Sequence, residues 1–175
     1  VEEESEKTSI KLDEDFAEIL VAESKIYDGT PLVNVDFSNV HLDGVADEHD
    51  VELTGVAEFS DVNAGQQKEV VVSDLALQGD DAELYILNLT DEQDEIILTA
   101  DITPIVLYVK PKEGIIEGET VPKEISYTWT EDKVLEGDSV DVNAKLYIDK
   151  DATGAYTYTL SDENAVTNSN YTLAI

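Results

Sequence analysis

The chain has no Cys, and its ten cations are all Lys. Without Cys there is no disulfide, no Cys-ligated zinc and no thiol nucleophile, and Cys usage gives no clue to the redox compartment. Positive charge is scarce: 10 Lys stand against 41 Asp and Glu, a formal net charge of −31 over 175 residues. Phosphate backbones and anionic membrane surfaces need clustered cations, so nucleic acid and membrane partners are disfavoured. The same charge favours solubility, like-charge repulsion and cation binding. No apolar run approaches the ~20 residues of a membrane-spanning helix. No serine sits in a Gly-x-Ser-x-Gly elbow, so no Ser/His/Asp triad can be argued. A long amphipathic helix is also missing.

What the sequence does have is alternation. Val51, Leu53, Gly55, Ala57 and Phe59 alternate with other residues, as do Ile125, Tyr127 and Trp129. So do Val140, Val142, Ala144, Leu146 and Ile148, and again Tyr156, Tyr158 and Leu160. A period of two marks half-buried antiparallel strands, so the class is mainly β. Lys25-Ile-Tyr27-Asp28-Gly29-Thr30 reads as strand, tight turn and strand, with a strand expected over 18–27. Phe16, Ile19 and Leu20 also fall at helical spacing, so a short helix near 13–22 is the competing expectation. The two halves repeat one order of features. Ile19-Leu-Val-Ala corresponds to Ile105-Val-Leu-Tyr, and the strand from Val51 to the one from Val140. The turn Asp61–Gly65 corresponds to Lys150–Gly154, and Tyr85-Ile-Leu87 to Tyr171-Thr-Leu173. The expected organisation is an acidic lead-in, a linker or frayed strand, over 1–16, then two small all-β modules in tandem, 17–101 and 102–175. Each is an immunoglobulin-like sandwich or a β-grasp-like sheet.

The first module resembles the YDG-type repeat of large bacterial surface proteins. The resemblance rests on Lys25–Thr30, on Phe59-Ser-Asp61-Val-Asn63-Ala-Gly65 followed by Lys68 and Val70, and on Gly79-Asp-Asp81-Ala82 leading to Tyr85. The second is similar to the related MBG-type repeat, through Leu135-Glu-Gly137-Asp138, Thr153-Gly154-Ala-Tyr156 and Asn168-Ser-Asn170-Tyr171-Thr172-Leu173. Leu84 stands where Asn is usual before the tyrosine, and Gly118-Glu119-Thr120 where a Tyr-Gly-Asp turn is usual. The resemblance implies tandem modules of a secreted or cell-surface, adhesin-like protein, with no catalytic residues and neighbouring repeats of the same chain as partners.

Two constellations invite a sharper reading. Asp149-x-Asp151-x-Thr153 at a strand end resembles the nucleophile motif of haloacid-dehalogenase-like phosphatases. Gly137-Asp138-Ser-Val-Asp141, which imitates their magnesium motif, precedes it rather than following, and the strand/helix alternation of such folds is missing. The same run imitates an EF-hand loop but ends on Leu160 where Glu is needed, leaving Asp149 and Asp151 as weak candidates for a looser Ca²⁺ site. His41, Asp43, Asp47, Glu48, His49 and Asp50 gather in one loop, as metal ligands or as a plain polar connection. Tyr127 and Trp129 are the candidate platform for a host or cell-surface glycan or protein. The expectation is a non-enzymatic structural or adhesive stalk segment at the bacterial cell surface, with a glycan- or protein-binding module and a Ca²⁺-stabilised module as alternatives.

Overall fold

The computed structural model describes residues 6–114 and 118–175, so the first five residues of the lead-in lie outside it. In chain order the strands are β1 Thr8–Leu12, β2 Lys25–Ile26, β3 Leu42–Asp43, β4 Glu52–Phe59, β5 Gly65–Gln78, β6 Tyr85–Asn88 and β7 Ile96–Thr103. They continue as β8 Ile105–Pro111, β9 Lys123–Ile125, β10 Tyr127–Trp129, β11 Leu146–Lys150, β12 Tyr156–Leu160 and β13 Tyr171–Ala174. The protein is all-β. Among the described residues the only helical pieces are 3₁₀ turns, so no unit is a single sheet wrapped on an α-helix. Nor is any helix long and apolar enough to cross a membrane.

The chain divides into two compact units. The first is Val1–Lys25, Thr30–Val62 and Gln66–Asp101; the second is Ile26–Gly29, Asn63–Gly65 and Ile102–Ile175. The tip of the Lys25–Thr30 turn and residues 63–65 therefore stand in the second unit, although the sequence reading places them in the first module.

In the first unit one sheet has the order β3-β1-β6 and the other β2-β7-β5-β4. Residues 8–12 are not a linker. They form the central strand β1, parallel to β6 with Ile10 opposite Leu87, and antiparallel to β3 with Lys11 opposite Asp43. Ile10 is fully buried and Leu12 nearly so, a period-two core face inside an acidic stretch. The strand expected over 18–27 is mostly absent. Phe16–Ile19 make a 3₁₀ turn with Phe16 buried, Ala22 makes an isolated bridge to Val35, and only Lys25–Ile26 extend as strand. The parent of β8 in the repeat is therefore β1, not Ile19–Ala22.

Strand β5 does not keep one alternation along its length, because it changes phase midway. Thr54 pairs with Ala76 but Val56 with Ser73, so β5 carries one extra residue at Asp74–Leu75, a β-bulge. Asp74 takes φ +51°. Val70 and Val72 face inward before it, whereas Leu75 and Leu77 are the shielded positions after it. Gly55 lies opposite, and a Cβ there would come within 2.9 Å of Leu75 Cδ2 and 3.1 Å of Phe37 Cζ. A missing side chain on β4 thus makes room for the rephased leucine.

The second unit repeats this plan. β8 is central, parallel to β13 with Leu107 opposite Leu173, and antiparallel to β10 with Trp129 opposite Val109. The other sheet is β12-β11-β9. Leu107, Val109, Leu146, Ile148 and Leu173 fill its core. The alternation from Val140 does not become a strand until Leu146; before that, Val142 makes only an isolated bridge to Val166.

Candidate functional site

Each unit is closed by a tyrosine at the first residue of its returning parallel strand. Tyr85 opens β6 opposite Thr8, and Tyr171 opens β13 opposite Ile105. Both rings are buried, so each hydroxyl needs partners. Tyr85 Oη accepts a hydrogen bond from Ala46 N at 3.0 Å and pairs with His49 Nδ1 at 2.6 Å. Tyr171 Oη accepts from Leu135 N at 3.0 Å and donates to Asp138 Oδ2 at 2.6 Å. The spacing matches: one backbone N–H, then a side chain three residues on. The turn matches too, since His49 N donates to Ala46 O and Asp138 N to Leu135 O, both at 3.0 Å. This clamp pins the loop before β4 or β11 to the end of the parallel strand pair.

The second clamp is larger. Tyr27, at the tip of the Lys25–Thr30 turn, packs edge-on against Tyr171 with ring centroids 5.9 Å apart. Its backbone N–H donates to Thr103 O at 2.8 Å. Asn170, buried, donates through Nδ2 to Asn63 Oδ1 at 3.0 Å and accepts at Oδ1 from Ala64 N at 2.7 Å. Its own N–H goes to Asn168 Oδ1, and its carbonyl accepts from Ile105 N. The Asn-x-Asn-Tyr sequence is thus a four-residue tie. Burial, and then the bond to Asp138, push the Tyr171 phenol up to about 12. Burial and the Asp138 charge also raise Tyr27. Neutral phenols at physiological pH act here as hydrogen-bond donors and not as bases.

The remaining motif residues hold the first unit together. Lys25 Nζ donates to Thr30 O at 2.8 Å and lies 5.6 Å from the centroid of the Phe59 ring. Lys68 Nζ pairs with Asp61 Oδ2 at 2.7 Å. Gly79 has φ +117°, and a Cβ there would sit 2.3 Å from Asp50 O, so only glycine fits. Around it Asp50 N donates to Asp81 Oδ2 at 2.8 Å and Asp81 N to Asp50 O at 3.1 Å.

The sharper candidates fall elsewhere. Asp149 and Asp151 flank the β11–β12 hairpin turn. Asp151 Oδ1 accepts from Thr153 N at 2.8 Å, Thr153 Oγ1 at 2.6 Å and Ala155 N at 3.0 Å. The Thr153 hydroxyl and these backbone donors hold its carboxyl below the usual range. Asp149 Oδ1 accepts from Lys150 N. His41 does not join His49, which is taken up by Tyr85. Among the described residues no three His, Asp or Glu are grouped so as to hold a metal. Tyr127 and Trp129 are half-buried rather than a platform, and Tyr127 Oη donates to Ala144 O at 2.5 Å. The exposed aromatics are Tyr108, Tyr156 and Tyr158. The sequence reading missed the roles of His49 and Asp138; the signal was that each precedes its tyrosine by a similar interval, 36 and 33 residues.

No curated protein and no solved structure matches the chain. A family model does: that of the YDG domain matches residues 16–94, consistent with a YDG-type module there.

Proposed function

We propose that the protein is a non-enzymatic structural and adhesive repeat segment, a stalk, of a secreted or cell-surface bacterial protein. In this reading the second unit is the MBG-type partner of the YDG-type first unit, and the neighbours of each are further repeats of the same polypeptide. The observation that supports it is the parallel pairing of β8 with β13, the first and last strands of the second unit. Parallel strands run the same way, so tension applied where the first strand enters and the last one leaves loads their hydrogen bonds in shear. Those bonds must break together, whereas a hairpin pulled at its open end gives way one bond at a time. The Tyr171 clamp sits at the first residue of the loaded strand.

Single-molecule pulling tests this reading. Extending the chain end to end is expected to give two discrete unfolding events. The event of the second unit should need several-fold more force than unzipping the β11–β12 hairpin through handles at residues 143 and 162. Extension without resolved events, or at no more than the unzipping force, refutes the stalk reading.

A further inference from the structure

One difference between the two units lies at the outer side of β5 and its counterpart. In the first, β5 has β4 on one side and β7 on the other. In the second, the counterpart of β5 is β12, the return strand of the hairpin, and among the described residues it has β11 alone. The difference shows in burial. Val70 and Val72 on β5 are fully buried. Tyr158 pairs with Ile148 and so shares its inward face, yet Ile148 is 1% exposed and Tyr158 39%. Tyr156, one pair further along, is 43% exposed. Beside β12 runs an open groove of about 400 Å³, lined by Tyr158, Thr159 and Leu160, by Leu173, Ala174 and Ile175, and by one charged residue, Glu163. In the first unit the chain leaves β6 by a single 3₁₀ turn, Asp91–Gln93, and enters β7 with Ile96, Ala100 and Ile102 buried.

We propose that the outer edge of β12 is a strand-accepting site, and that its occupant is an extended segment tethered after β13, filling the place that β7 fills after β6. The segment it takes has β7's chemistry: apolar side chains at alternate positions, two or three of them, covering Tyr156, Tyr158 and the groove. The edge is suited to this. Tyr156-Thr-Tyr-Thr-Leu160 is rich in strand-forming residues and carries none of the charges or prolines that guard exposed edges. A second copy of the chain is the less favourable occupant, because each copy brings a net charge of −31. A tether removes most of the association cost that a free strand bears. The inference rests on the strand order within each unit and stands apart from the stalk reading.

The test replaces Ala174-Ile175 with the chain's own residues 88–103, placing the β7 sequence at the spacing from Leu173 that it keeps from Leu87. Hydrogen exchange at the amides of Tyr156–Leu160 is expected to slow by about 100-fold or more. The same extension carrying Ile96→Asp and Ala100→Asp in the graft should leave them fast. Should the extended chain fail to fold, the peptide 88–103 added in trans to the unextended protein at millimolar concentration gives the same reading at the same amides. No added protection from graft or peptide overturns the proposal, as does equal protection by the Asp version. Protection of β12 in the unextended chain that rises with protein concentration alone would make a second copy the occupant, and also overturns it.

Discussion

Removing one oxygen atom should weaken the second unit measurably. In Tyr171→Phe the ring stays, so the core packing around β8 and β13 is kept. Two hydrogen bonds go: the 2.6 Å bond to Asp138 and the 3.0 Å bond from Leu135 N. A bond to a charged acceptor contributes about 1.5–3 kcal/mol, and a buried donor left without a partner costs about 1–3 kcal/mol. Asp138 and Leu135 are only half-buried, so water recovers part of both terms. The expected loss is about 2–3 kcal/mol. Trp129 is the only tryptophan and lies in β10 beside β8, so its fluorescence in urea reports this unit alone. Tyr85→Phe, which breaks no bond to a carboxylate, should cost less, about 1–2 kcal/mol, read by exchange of the β1 and β6 amides. The phenol gives a second signature. Its folded value is raised, to about 12, so above the ordinary value of 10.0 the native state holds a proton that the unfolded state has lost. That stability is complete below pH 10 and disappears as pH climbs through 12, by up to about 1.4 kcal/mol for each pH unit in between. Tyr171→Phe should flatten this alkaline decline, with Tyr27 supplying what remains. A loss under about 0.5 kcal/mol at pH 7, or an unchanged alkaline limb, would refute the clamp.

Asn170→Ala should cost about 1–3 kcal/mol by orphaning Ala64 N, whereas Leu84→Asn at the matching place in the first unit should be nearly neutral, since Leu84 is exposed; urea melts decide both. Gly79→Ala should destabilise the first unit by about 3 kcal/mol or more, because Asp50 backbone occupies the space; an exchange-derived loss below about 1 kcal/mol would mean that the 79–81 turn can move. Millimolar Ca²⁺ should raise the melting temperature no more than Mg²⁺ at equal ionic strength, and Asp151→Ala should loosen the β11–β12 hairpin with either ion; stabilisation by Ca²⁺ alone that Asp151→Ala abolishes would contradict the turn reading.

Strand type was legible because alternation leaves a direct trace: Leu146 and Ile148 alternate in sequence and in burial, Tyr156 to Leu160 alternate in sequence and form a strand, and the correspondence of Tyr85 with Tyr171 holds in the sheets. β1 was obscured because only Ile10 and Leu12 are apolar in a run dominated by acids, and a central strand of five residues needs no more than that. The reading of 18–27 failed for the opposite reason. Its apolar residues do alternate, Leu20 and Ala22 buried against Ile19 and Val21 exposed, but Phe16–Ile19 close into a 3₁₀ turn and Ala22 finds only an isolated bridge, so no ladder forms until Lys25. The clamps could not be derived from spacing alone, because a hydroxyl's partners are fixed by which loop folds over it. Asp149 and Asp151 look like ligands in sequence for a related reason: turns and metal sites both favour carboxylates one residue apart, and here the turn's own amides take the oxygen.

The bulge at Asp74 has a consequence for how this strand can change length. Adding or deleting one residue in an ordinary strand turns every side chain beyond it to the wrong face, so such changes are normally rejected. β5 has already absorbed one. Asp74 is exposed, stands outside the ladder at positive φ, and separates two stretches whose inward residues fall on opposite parities. Among relatives of this unit, single-residue gaps in β5 should therefore collect at Asp74–Leu75, with a larger residue replacing Gly55 wherever the extra residue is gone.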